Sequence, residues 1–138
     1  ALWLFSTDDG SLIGNSSFQI SVEIGVRQHQ CYPGSFQPGT RQSSCLGASA
    51  GNYVPSSGAS SQIQCEPGTY QPMYGATSCV QASAGNYVPS SGASTQTPAS
   101  TGYYVPTSGS VSQTACSEGT YQNSTGQISC INADPGYY

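Results

Sequence analysis

The sequence predicts an all-β fold: an elongated tandem array of 17-residue β-hairpin repeats, stapled by disulfides within individual repeats and preceded by an N-terminal β-strand segment. Three observations carry this prediction. First, a Gly-x-aromatic triplet recurs at Gly34, Gly51, Gly68, Gly85, Gly102, Gly119 and Gly136, always 17 residues apart, with Phe36, Tyr53, Tyr70, Tyr87, Tyr104, Tyr121 or Tyr138 as the aromatic. A fixed period without insertions describes one small unit that contacts mainly its neighbours. Second, all six cysteines keep step with those glycines. Third, Phe18, Ile20, Val22, Ile24 and Val26 alternate with polar or small residues, the period of a strand with one buried face.

These patterns divide the chain at residue 30. Residues 1–30 form an N-terminal β segment, a cap or a subunit-docking strand. It contains Phe18–Val26 and the short apolar run Leu2, Trp3, Leu4 and Phe5, separated by the turn signal Asp8-Asp9-Gly10. The opening run is too short for a signal-peptide core and reads as the start of a processed chain. Residues 31–138 hold six full repeats and one partial repeat. The unit Gly51-Asn52-Tyr53-Val54-Pro55-Ser56-Ser57-Gly58, followed by a Ser/Gln run, reads as short strand, tight turn, short strand. Proline presets φ for such a turn and glycine accepts the positive φ that closes it. The closing glycine returns as Gly75, Gly92, Gly109 and Gly126, while the first unit has Arg41 there. An aromatic in every unit is expected to pack on the next and form the common core.

The cysteines choose their own partners. Cys31, Cys65 and Cys116 each lie three residues before a repeat glycine, and Cys45, Cys79 and Cys130 lie eleven after one. A unit has both or neither; the cysteine-free units carry Ala48 with Gln62, Ala82 with Gln96, and Ala99 with Gln113. Of the pairings six cysteines allow, only Cys31–Cys45, Cys65–Cys79 and Cys116–Cys130 give three equal separations and explain joint presence and absence. Zinc is disfavoured, because there is no C-x2-C pair and one histidine, His29. Disulfides place the chain in an oxidising compartment, extracellular or at a cell surface.

Composition excludes several function classes. Charged residues are 6% of the chain, lysine is absent, and Arg27 and Arg41 are the strong cations in a net charge of −4. Nucleic-acid binding needs clustered cations, and no apolar run has the length of a membrane span. The acids Asp8, Asp9, Glu23, Glu66, Glu118 and Asp134, with His29, present no convergent acid–base or nucleophile–base pair. The chain is therefore read as a non-enzyme without cofactor or metal. Asp8-Asp9-Gly10 reads as a turn rather than a calcium loop, and Glu66 and Glu118 as solvated turn residues.

Two kinds of modification are expected. Asn15 and Asn123 open N-glycosylation acceptor triplets. Ser56, Ser57, Ser90, Ser91, Thr107 and Ser108 follow proline at turn tips, a composition common in O-glycosylated stalks. Covalent glycans would keep so weakly charged a chain in solution. Tyr32, Tyr74, Tyr103 and Tyr137 lie off the aromatic stripe and are candidates for contacts between chains.

At Cys65-x2-Gly68-x-Tyr70 … Ser78-Cys79, and again at Cys116-x2-Gly119-x-Tyr121 … Ser129-Cys130, the chain resembles the ephrin-receptor-like cysteine-rich repeats, which are related in pattern to the first module of TNF-receptor cysteine-rich domains. Cys31-x2-Gly34-x-Phe36 … Cys45 fits the same pattern, so the resemblance covers residues 31–138. It implies the same pairing of each first cysteine with the one 14 residues on. The family usually places a further cysteine three residues later, where this chain has Ala48, Ala82 and Ala133, so receptor-type ligand binding is not implied. The uniform, degenerate form is similar to long secreted repeat proteins of microbes.

The expectation for function is a secreted structural protein, a subunit of an extracellular filament, sheath or surface layer that partners itself head to tail by β-strand addition. The final repeat breaks off at Gly136-Tyr137-Tyr138, while the N-terminal strands have no repeat to pair with. The docking residues are then Leu2, Trp3, Leu4, Phe5, Phe18, Ile20, Val22, Ile24, Val26, Tyr137 and Tyr138. The alternative is the stalk or ligand-binding module of an adhesin or receptor ectodomain.

Overall fold

The computed structural model describes residues 30–39 and 44–136. They form an all-β array of six antiparallel hairpins, one per repeat, and contain no helix. β1 (Ser35–Phe36) pairs with β2 (Leu46–Gly47), β3 (Asn52–Tyr53) with β4 (Ile63–Gln64), and β5 (Thr69–Tyr70) with β6 (Val80–Gln81). The same pairing joins β7 (Asn86–Tyr87) to β8 (Thr97–Pro98), β9 (Tyr103–Tyr104) to β10 (Thr114–Ala115), and β11 (Thr120–Tyr121) to β12 (Ile131–Asn132). The expected strands of residues 1–30, with Asn15, fall outside the described residues, as do Arg41, Tyr137 and Tyr138.

Each hairpin is entered through a tight turn that explains its repeat glycine. In Glu66-Pro67-Gly68-Thr69, the Thr69 N–H donates to the Glu66 carbonyl at 3.0 Å and Gly68 has φ +88°. Proline second and a positive-φ glycine third make this a type II turn. A second constraint acts on the same atom. A Cβ built on Gly68 would lie 2.5 Å from the carbonyl oxygen of Gly109, two units further on. Gly34, Gly51 and Gly85 meet Gly75, Gly92 and Gly126 in the same way.

Two-residue strands bury too little to stand alone; the units hold one another. The Gly51 N–H donates to the Gln71 carbonyl at 2.7 Å, and the Val54 N–H to the Ala76 carbonyl at 3.0 Å, both in the next unit. In return the Gly75 N–H donates back to the Ala48 carbonyl at 2.7 Å. This three-bond set joins unit after unit; its last copy is Gly102 to Gln122, Val105 to Gln127 and Gly126 to Ala99. The Cys65 N–H, where the next unit begins, closes the β3–β4 hairpin on the Gly51 carbonyl at 2.9 Å.

The ladder moves one expected element. The returning strand is not the Ser/Gln run after Gly58 but Ile63–Gln64. The span from Val54 to Ala59 bonds to neighbouring units instead: Gly58 donates back to Cys31 and Ala59 accepts from Gln37. The pairing of the second strand is therefore delayed until the chain has crossed its neighbours.

The core also differs from the expected aromatic stack. Side chains from 0 to 2% exposed are Cys31, Ala48, Cys65, Ala82 and Ala99, three residues before the repeat glycines, and Val54, Val88 and Val105, three after. Phe36, Tyr53, Tyr70, Tyr87 and Tyr104 are half-buried and Tyr121 is exposed. Along a strand, neighbouring side chains face opposite sides. Val54 faces the centre of the array, so Tyr53 cannot. Small residues fill that centre because backbones from three successive units converge there.

Candidate interaction surfaces

The interior uses two interchangeable staples. Cys31–Cys45, Cys65–Cys79 and Cys116–Cys130 are bonded, each with Cα atoms 5.8 Å apart, which is the pairing expected from the spacing. In the cysteine-free units the glutamine at the second cysteine position spans the same hairpin. Gln62 Oε1 accepts from the Ser49 N–H at 2.8 Å and the Ser49 hydroxyl at 3.2 Å. Gln96 accepts from Ser83 N–H at 2.8 Å and Gln113 from Ser100 N–H at 2.7 Å. The Asn52 and Asn86 amides lock the Ser49 and Ser83 hydroxyls, each at 3.0 Å.

A further position tracks the staple. Three residues after the repeat glycine stands valine in the glutamine units (Val54, Val88, Val105) and glutamine in the cystine units (Gln37, Gln71, Gln122). Gln71 and Gln122 are each 7% exposed and satisfied. Gln71 Nε2 donates to the Ser78 carbonyl at 2.7 Å, and its Oε1 accepts from the Met73 N–H at 3.0 Å. Gln122 makes the matching bonds to Ser129 and Ser124 at 2.8 and 3.1 Å. A buried amide left unpaired costs about 1–3 kcal/mol, so this network is a condition of its burial. Sequence reading missed both glutamine roles. The available signal was covariance among units of the one chain.

Three surfaces face outward. On the first, the repeat aromatic pairs directly with a residue on the returning strand: Phe36 with Leu46, Tyr53 with Ile63, Tyr70 with Val80, Tyr87 with Thr97, Tyr104 with Thr114, Tyr121 with Ile131. Aromatic and β-branched cross-strand pairs stabilise a ribbon; here they also leave Leu46, Ile63, Val80 and Ile131 about half exposed.

The second surface is the turn edge. Ser56, Ser57, Ser90, Ser91, Thr107 and Ser108 are all exposed there, the positions expected for O-glycans. Ser91 Oγ donates to Gln64 at 3.4 Å, and Thr107 Oγ1 lies 3.3 Å from Ser110 Oγ. Asn123 is exposed on the same edge, where the five preceding units have proline. Unit three breaks the row with Met73 and Tyr74, 67 and 78% exposed. Tyr32, also off the aromatic stripe, is exposed on its own turn, and Tyr103 more modestly.

The third surface is a shallow groove of about 280 Å³ at the junction of units two and three, lined by Tyr53, Glu66, Pro67, Thr69, Ser78 and Cys79. Glu66 and Glu118 are exposed turn residues, as expected, but occupy the first and second turn positions respectively. Glu118 faces a separate hollow with Gly119, Asn132 and Ala133. Among the described residues there is no cluster of three His, Cys, Asp or Glu side chains that could hold a metal ion, and no helix long and apolar enough to cross a membrane. No protein-family model and no curated protein matches the chain, so its likeness to ephrin-receptor-like repeats rests on residue spacing alone.

Proposed function

We propose that this chain is a secreted structural protein, a building block of an extracellular filament, sheath or surface layer. The observation that carries this reading is the inter-unit ladder. Every unit offers the same two forward N–H donors and the same backward acceptor, a geometry that propagates without closing on itself. The disulfides support an oxidising, extracellular setting. The hydroxyl-bearing turn edge and Asn123 are accessible to glycan attachment. Subunits join head to tail, the N-terminal strand segment of one chain adding to the ladder of the next.

Negative-stain microscopy of the full chain tests this reading. Filaments with a regular axial repeat are expected, and removal of residues 1–30 should leave dispersed monomers. Dispersed rods from the intact chain would instead favour a stalk or ligand-binding module. Filaments that survive the deletion would refute docking through the N-terminal segment.

A further inference from the structure

The charges of the array are not scattered. Among the described residues the charged side chains are Glu66, Glu118 and Asp134, with no cation. Each stands at a turn one repeat on from a tyrosine of the aromatic stripe: Glu66 thirteen residues after Tyr53, Glu118 fourteen after Tyr104, Asp134 thirteen after Tyr121. At the first of these places the structure shows what the spacing produces. Tyr53 and Glu66 line one groove together with Pro67, Thr69, Ser78 and Cys79, the last bridged to Cys65. The tyrosine is half-buried rather than sealed in a core, so part of its ring borders solvent.

We propose that this groove binds a neutral saccharide, with Tyr53 as the stacking platform and Glu66 as acceptor for the sugar hydroxyls. A pyranose has an apolar C–H face suited to an aromatic ring and a rim of hydroxyls that need partners. Glu66 supplies acceptors only. Thr69 Oγ1 spends its proton on the Glu66 carbonyl at 2.7 Å, leaving its lone pairs for a ligand donor. At about 280 Å³ the groove is just below the ~300–1,000 Å³ usual for drug-sized ligands, which suits one or two sugar rings. Among the described residues no cation accompanies this carboxylate, which disfavours anionic sugars. Tyr121 and Asp134 repeat the spacing of Tyr53 and Glu66, and Asp134-Pro135-Gly136 repeats Glu66-Pro67-Gly68, so a polysaccharide that follows the array meets the pairing of types a second time. This inference does not rest on the assembly reading, and microscopy leaves it untouched.

The test is a titration of the oxidised, isotope-labelled full chain with cellohexaose, xylohexaose and chitohexaose in turn, observed by NMR. Saturable shifts of the Tyr53 ring and the Glu66, Thr69 and Ser78 amides are expected with at least one of the three. Tyr53→Ala should weaken binding about tenfold, as expected for loss of a stacking contact. Glu66→Gln, at an exposed side chain that leaves the fold intact, should weaken it severalfold, and Tyr74→Ala not at all. If none of the three sugars moves these signals, the proposal fails. It fails equally if Glu66→Gln binds as the parent does, or if tetramethylammonium shifts the same residues where the sugars do not.

Discussion

Gln62 Oε1 reaches the backbone N–H of Ser49 at 2.8 Å, bridging its hairpin at the place where Cys65 and Cys79 are joined in the next unit. One position in the repeat is thus filled by either a covalent or a hydrogen-bonded staple. This interchange leads to the first two predictions.

Gln62→Ala removes the partner of a part-buried N–H and should destabilise the chain by about 1–2 kcal/mol. Chemical denaturation under oxidising conditions measures this. Gln96→Ala should match it, since Gln96 makes the same bonds to Ser83.

Ala48→Cys combined with Gln62→Cys should form a fourth disulfide, because these residues hold the two staple positions of unit two. A 14-residue separation corresponds to about 3 kcal/mol in the chain-entropy model. Intact mass before and after reduction reports the bond, and the denaturation midpoint reports the gain.

Gly51→Ala and Gly119→Ala in this 138-residue chain should differ sharply. Both glycines have positive φ, +84° and +83°, which costs an alanine about 1–2 kcal/mol. At Gly51 the new methyl also collides with the Gly92 carbonyl, whereas at Gly119 it meets nothing within 4 Å. Overpacking adds about 1–3 kcal/mol, so Gly51→Ala should be the more damaging by that margin. Thermal unfolding of the two variants side by side decides it.

Reduction should loosen the array unevenly. Units two, four and five keep their glutamine staples when the thiols are freed. Under a reductant, hydrogen exchange should accelerate first between Cys65 and Cys79 and later at the Ser83 and Ser100 amides. Uniform loss of protection would show that the units open only together.

The period, the hairpin per unit and the disulfide pairing are legible in the sequence because each is written in residues with few substitutes. Only glycine tolerates both the type II turn at Gly68 and the closeness of Gly109, and a cysteine without its partner loses its purpose. The burial pattern is less legible. Tyr53 and Val54 are adjacent and both apolar, and which one faces inward depends on neighbours that the local pattern does not mention. The returning strand at Ile63–Gln64 is hidden for the same reason, since the preceding residues bond to other units. Glutamine at Gln62 or Gln71 looks like surface filler until its partners, Ser49 and Ser78, are brought beside it. The groove beside Tyr53 is likewise formed by residues from two units.

The contact of Gly34, Gly51, Gly68 and Gly85 with the second unit ahead has a consequence for descent. One extra residue anywhere between Gly51 and Gly92 would put the Gly51 amide, its partner carbonyl at Gln71 or the facing Gly92 out of step. Such a chain carries the fault into units that are themselves unaltered. Whole-unit duplication or loss leaves every facing pair intact. A gene for this fold can therefore grow or shrink in steps of 17 codons, and the length of the array is inherited as a count.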